Sequence, residues 1–343
     1  MAIEYLAGNR LRGTLAEMEA LTRSNISDGS LYYATDQNKE YVFNSVDSFW
    51  RGLNDNYITS PSWSTVSSLS TKRTSLHGST GSPDNAICFG GYTTGTVNLS
   101  SCEEWNGSSW SSGGSLSATR RATGGTGDKD SALNCGGYTT TSVAISQLYN
   151  GSTWSTTGSM VCNRYSPFGV GDEQVGSLNI GGYNGSTSCG GGTGYKNTTE
   201  SFGGSTWTTE GNISQRKRVG AGTGHDSTAI IIGGTTGSYT NVVESYNGTS
   251  WSSETNYPLT LHALAASGTK TDCVVYGGVD SGGTRQSASY TYNGTTWTAG
   301  NSMNTAQSSH AGGTDGTGST GAITIGGTTA TDSPTNLVQV YDY

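Results

Sequence analysis

Charge, proline and histidine are scarce in this chain. Only 12% of its 343 residues are Asp, Glu, Lys or Arg, five are Pro and four are His. The charges sum to −8, which disfavours nonspecific attraction to nucleic acid or to an anionic membrane surface. No apolar run approaches the roughly 20 residues that a spanning helix needs, so membrane insertion is not expected. Met1-Ala2-Ile3-Glu4-Tyr5 lacks the basic and apolar regions of a secretory signal. The sequons Asn106-Gly107-Ser108, Asn150-Gly151-Ser152 and Asn247-Gly248-Thr249 are therefore expected to carry no glycan. Six cysteines show no CxxC or other metal spacing. Cys88, Cys135 and Cys273 fall in apolar strands and are expected to be small buried hydrophobes. Cys189, in a loop insertion, is the one candidate for pairing or reactivity.

Catalytic signatures are equally sparse. His77, His225, His262 and His310 stand 14, 18, 11 and 13 residues after a preceding Trp, so they form neither a ring of equivalent positions nor an HxH or HExxH pair. There is no nucleophile elbow, P-loop or paired-carboxylate motif. The run Gly190 to Gly194 lacks the strand-glycine-helix context of a phosphate cradle. Asp128, Asp172, Asp226 and Asp315 recur in turns, where capping explains them. No catalytic residue, metal site or cofactor is expected.

What the chain does have is glycine, 53 residues of it, arranged periodically. An aromatic residue, Asn-Gly or a related pair, and a Trp five positions on recur at Trp105/Trp110, Tyr149/Trp154, Phe202/Trp207, Tyr246/Trp251 and Tyr292/Trp297. Doublets precede them: Gly90-Gly91, Gly136-Gly137, Gly181-Gly182, Gly233-Gly234 and Gly277-Gly278. A period in the forties of residues means an array of supersecondary units. Each unit reads as four strands: a small-residue strand, an apolar strand such as Thr228 to Ile232, the aromatic strand and the Trp strand. Asn-Gly between the last two predicts type I′ hairpins. Glycine doublets mark close approach of a neighbour, and the six Trp are expected to fill the space between sheets.

The copy count predicts closure. A sixth doublet, Gly326-Gly327, precedes Val338 to Tyr343, but no Trp follows it. Trp63 has no doublet before it, yet Trp63 to Arg73 matches Trp110 to Arg120. The N-terminal end of the repeat region thus supplies the strand that the last repeat lacks. The expected fold is all-β, a six-bladed β-propeller whose final blade is assembled from both ends, which removes open edges.

Glycine doublets followed by spaced Tyr and Trp resemble the kelch repeat family over residues 58–343. That resemblance implies a propeller that binds other molecules. Phe202-Gly203-Gly204 and Trp105 depart from the usual Tyr and Asn-Gly, and a Glu before the aromatic occurs only at Glu104, Glu200 and Glu244. Residues 1–57 are a separate module, holding 13 of the charged residues. Thr14 to Leu21 reads as a short helix, and Gly29 to Phe43 as a hairpin that pairs with copies of itself or docks on a partner. Arg12-Gly13-Thr14, Asp28-Gly29-Ser30-Leu31-Tyr32-Tyr33, Thr35-Asp36-Gln37-Asn38-Lys39 and Trp50 are similar to a segment of tailed-phage fibre and other virion appendage proteins. There it precedes a receptor-binding or decorative domain.

Two sets of residues are expected on the face opposite the Asn-Gly turns. Ten residues after successive Trp come Arg73, Arg120, Arg164, Lys217, Leu261 and Gln307. The basic ones form either an arc that binds an acidic ligand or hydrogen bonds between blades. Tyr92, Tyr138, Tyr183 and Tyr239, with Tyr195 in the blade-three insertion from Asn184 to Thr198, suit stacking on sugars or protein hot spots. The resulting expectation is a non-enzymatic virion surface protein. Residues 1–57 would bind other virion proteins, the assembly would be a homo-oligomer, and the distal loops would bind a host-surface glycan or protein. The alternatives are a purely structural virion component and a kelch-like oxidase or lyase.

Overall fold

In the computed structural model, the described residues are 4–6, 10–13, 31–34, 39–44, 49–52 and 61–342, the last span without 96, 186–193, 314–317, 320 and 331–332. The chain divides into two compact units, Met1–Ser60 and Pro61–Tyr343.

In the first unit, strands Glu4–Leu6, Arg10–Gly13, Leu31–Ala34, Lys39–Asn44 and Phe49–Gly52 form one sheet in chain order. The hairpin expected around Asp36 is there, with Leu31 opposite Val42 and Ala34 opposite Lys39. It is part of a five-stranded sheet. Arg10–Gly13 joins one edge in parallel and Phe49–Gly52 the other antiparallel. Tyr32 is fully buried. The helix expected over 14–21 lies outside the described residues.

The second unit is a six-bladed β-propeller, each blade an antiparallel four-stranded sheet. Blade 1 holds Thr80–Gly81, Ala86–Phe89, Cys102–Trp105 and Trp110–Gly113; blade 2 repeats this from Gly124, blade 3 from Phe168, blade 4 from Ala221 and blade 5 from His262. Blade 6 takes Ala311–Gly313, Ala322–Ile325 and Val338–Asp342 from the C-terminal end and Ser62–Thr65 from the N-terminal side, with Trp63 opposite Tyr341. Innermost strands touch neighbour to neighbour around the whole circle, including Ala311–Gly313 against Thr80–Gly81.

The core lies between blades. The aromatic paired opposite each Trp is its centre: Trp105, Tyr149, Phe202, Tyr246, Tyr292 and Tyr341 are all 1–2% exposed. Each stacks on the Trp of its own blade at 4.6–5.3 Å. The six Trp, expected to fill the space between sheets, share it with these aromatics. Trp63 and Trp207 are buried, whereas Trp110, Trp154, Trp251 and Trp297 are only half-buried. Their strand is the outermost of each blade, where the neighbouring sheet covers one side of the ring and solvent reaches the rest. Trp154 shows the arrangement: it leans on Tyr149 at 4.9 Å and meets Phe89 of blade 1 edge-on at 5.0 Å. Other rings reach the preceding blade through Nε1, which donates from Trp207 to Ser146 Oγ at 3.0 Å and from Trp251 to Thr199 Oγ1 at 3.0 Å. Pairs of rings, one sealed and one at the rim, therefore occupy the space.

The Asn-Gly hairpins differ from a type I′ turn. Four residues, Asn247 to Ser250, separate the paired Tyr246 and Trp251. Only Gly248 has positive φ, at +90°. Asn247 Oδ1 accepts from the Thr249 and Ser250 amides at 3.0 and 2.8 Å. The asparagine thus works as a side-chain acceptor for the turn, and the same bonds recur at Asn106, Asn150 and Asn293.

Candidate binding face

Strand alternation places the doublets and the segments entering each new blade on one face, opposite the Asn-Gly turns. Every doublet closes onto the next blade entry. The amides of Gly91, Gly137, Gly182, Gly234, Gly278 and Gly327 donate to the carbonyls of Arg120, Arg164, Lys217, Leu261, Gln307 and Arg73 at 2.8–3.0 Å. A Cβ on Gly90, Gly136, Gly181, Gly233, Gly277 or Gly326 would stand within 2.8 Å of those same oxygens, and each of these glycines has φ near +60°. Only glycine meets both demands.

The expected arc of positive charge is not on the surface. Arg73, Arg120, Arg164 and Lys217 are 0% exposed. Arg73 Nη2 bonds Glu103 at 2.7 Å, Arg164 pairs with Glu200, and Lys217 Nζ bonds Glu244 at 3.1 Å. Further donations from these side chains reach main-chain carbonyls such as Gly90 O, Gly181 O and Val242 O. The acid aligned in blade 1 is Glu103; its neighbour Glu104 accepts from the Tyr149 hydroxyl of blade 2. The six positions vary in matched pairs. Gln307 faces Gln339 in blade 6, and Leu261 shares an apolar cluster with Tyr290 in blade 5. Blade 2 alone is mismatched: Arg120 meets the neutral amide of Gln147 at 3.0 Å, and burial pushes its pKa down. These cations stitch strands together and do not present charge to a ligand.

Two residues further on, the backbone forms a second device. Ser75, Ala122, Ser166, Val219, Ala263 and Ser309 all have φ between 51° and 57°, a region costly for residues with a Cβ. Their amides and carbonyls form a closed circle in which each accepts from the next blade's amide, at 2.6–3.2 Å, ending with Ser75 N to Ser309 O. This circle fixes the residue just before each member, namely Thr74, Arg121, Tyr165, Arg218, His262 and Ser308. Each bridges the strand segment just after a doublet: Thr74 to Tyr92, Arg121 to Tyr138, Tyr165 to Tyr183, Arg218 to Thr235, His262 to Val279 and Ser308 to Thr328.

That ring is chemically lopsided. On blades 1–4 the Arg121 guanidinium lies 4.9 Å from the centres of both Tyr92 and Tyr138. Tyr138 meets Tyr165 at 5.3 Å and Tyr165 meets Tyr183 at 5.4 Å. Arg218 lies 5.3, 4.9 and 5.5 Å from Tyr165, Tyr183 and Tyr195, and Tyr183 meets Tyr195 edge-on at 5.4 Å. All seven side chains are partly exposed. Tyr239 stands apart, stacked on His262 at 4.1 Å; burial lowers the His262 pKa despite its contact with the Val279 carbonyl. Blade 6 places Ser308 and Thr328 here.

Sequence reasoning thus found Tyr92, Tyr138, Tyr183 and Tyr195 but missed Tyr165, Arg121 and Arg218. The signal was present in Arg120-Arg121 and Lys217-Arg218: in extended chain, consecutive side chains point oppositely, so one buried cation implies one on the other side. Asn184 to Thr198 supplies a small extra pairing, Tyr183 opposite Tyr195; Cys189 lies outside the described residues. Cys88, Cys135 and Cys273 are buried as expected, and burial raises all three thiols, Cys88 to about 11 and Cys135 to about 12. No protein-family profile and no curated protein sequence matches the chain.

Proposed function

We propose that this is a non-enzymatic surface protein of a virus particle, of the fibre, tip or capsid-decoration kind. Residues 1–57 attach it to other virion proteins, and its kelch-like propeller adheres to a host-surface glycan or protein. The observation that carries the binding role is the arc of five tyrosines and two arginines, partly exposed on one face. Side chains held by mutual stacking lose little freedom when a ligand docks, which favours binding, and tyrosine and arginine are the residues that dominate recognition hot spots. Several such arcs in a homo-oligomer would add avidity without any strong single site.

The test is binding of the fluorescently labelled full chain to a panel of bacterial cells, beside a Tyr138→Ala/Tyr183→Ala variant. Saturable binding that the variant loses is expected. A folded protein that binds no cell but retains virion proteins would replace adhesion with a purely structural role. Cleavage of surface polysaccharide by the protein would overturn the non-enzymatic reading.

A further inference from the structure

The arc's two arginines differ from three of the buried cations behind this face. Arg73, Arg164 and Lys217 each hold a buried carboxylate. Among the described residues no carboxylate lies within ion-pair distance of Arg121 or Arg218. The chain has 25 acidic residues against 17 basic ones, so counter-charge is plentiful and is simply not placed here. Arg121 spends one N–H on Asn98 Oδ1 at 3.2 Å. Arg218 Nε is buried with no acceptor. A guanidinium carries five N–H donors in a planar fork, so most of this donor capacity is left for solvent or a ligand.

The spacing adds a second constraint. Arg121 and Arg218 are separated by the edge-on Tyr138–Tyr165 pair, in steps of 4.9, 5.3 and 5.3 Å. Charge, ring, ring, charge is the pattern presented. Tyrosine faces suit the C–H faces of sugar rings, and a stacked guanidinium keeps its fork free for a bidentate oxyanion.

Building on the adhesive reading, we infer that the ligand is an acidic saccharide. Its rings lie along Tyr138, Tyr165 and Tyr183, and its carboxylate or sulfate groups are taken by Arg121 and Arg218. The blade 5 and 6 side of the same ring, with His262, Val279, Ser308 and Thr328, takes no part.

The test measures binding of the full chain to oligogalacturonate and its methyl ester, to heparin oligosaccharides and their desulfated form, and to dextran. Expected is binding to at least one acidic member, weakened by added salt and lost with its neutral counterpart; which pair responds distinguishes carboxylate from sulfate. Arg121→Gln and Arg218→Gln should each weaken it about tenfold or more, the loss typical of a charged hydrogen bond, while melting temperature stays unchanged. Lys129→Gln, at an exposed ion pair with Asp130 on the turn face, serves as the control and should bind normally. Equal binding of acidic and neutral saccharides would overturn the inference and leave the adhesive reading standing. Acidic binding indifferent to both arginine variants would overturn the assigned site. Failure of every saccharide overturns the inference, and failure on cells as well removes the adhesive reading with it.

Discussion

At the scale of single residues the propeller contains its own controls, because one position recurs in six blades with different occupants. Arg–Glu, Lys–Glu, Gln–Gln and Leu–Tyr pairs all satisfy the same site, so what matters there is matched polarity and not charge itself. Removing one partner of a buried ion pair strands the other at a cost of about 3–5 kcal/mol. Blade 2 already carries that defect, since Arg120 faces Gln147 and both Nδ2 and Oδ1 of Asn134 lack partners. Gln147→Glu should therefore raise stability by about 1.5–3 kcal/mol, the range for a hydrogen bond to a charged group, whereas Glu200→Gln beside Arg164 should lower it. Urea unfolding of the two variants checks both signs. A destabilised Gln147→Glu would mean that desolvating the new carboxylate outweighs its pairing. The pairing was only half legible in the sequence. Glu200 and Glu244 stood out, but Glu103-Glu104 gave no local cue to which acid faces inward; that required the register of the neighbouring strand.

At the scale of elements, the chain relies on closure between its two ends. Trp63 is 5% exposed, packs on Tyr341 at 5.1 Å and on Tyr276 of blade 5 at 4.8 Å. Its strand is the only one in blade 6 drawn from the N-terminal side. Trp63→Ala should cost about 3–5 kcal/mol, as for other buried large-to-small changes. Trp297→Ala, equivalent in its blade but more exposed and joined to its sheet by a short connection, should cost distinctly less. Comparing their urea midpoints tests whether the seam is where the ring is held. Equal losses would show that the seam has no special weight. The strand count and the seam were both predictable, because glycine doublets and Trp are local, periodic marks. How deeply each Trp sits was not, since Trp154 and Trp207 occupy the same repeat position and differ only in what the preceding blade lays over them. Turn geometry was equally hidden, because Asn-Gly is compatible with a two-residue loop and with the four-residue loop that the side-chain bonds of Asn247 select.

At the scale of the whole molecule, the ring encloses an axial cavity of about 50 Å³ lined by small groups such as Gly125, Gly169, Gly222 and Gly312, and by His77 and His310. Both nitrogens of His77 and the Nε2 of His310 are buried without protein partners. Burial lowers both imidazoles from 6.5 to about 4. The unfolded chain takes up these protons near pH 6.5 and the folded one only near pH 4, so stability falls as pH drops through that interval. For His310, 1% exposed, the loss is about 3 kcal/mol at 1.36 kcal/mol per pKa unit. Unfolding free energies at about pH 7 and about pH 4.5 should show it, and His310→Gln should flatten the dependence. An unchanged slope in that variant would shift the effect to other groups.

The repeat, the number of blades, their closure and the all-β class were legible along the chain, because they rest on local chemistry: glycine where no Cβ fits, aromatic pairs at a fixed spacing, asparagine in turns. Which cations are exposed depends on how the blades meet. Arg120 and Arg121 are adjacent and chemically identical, yet one is sealed inside a blade and the other lies between two tyrosines. The circle of backbone bonds from Ser75 to Ser309 makes that choice by fixing how each blade entry is turned relative to its neighbours. No window of sequence contains it, because each of its bonds joins residues a whole blade apart.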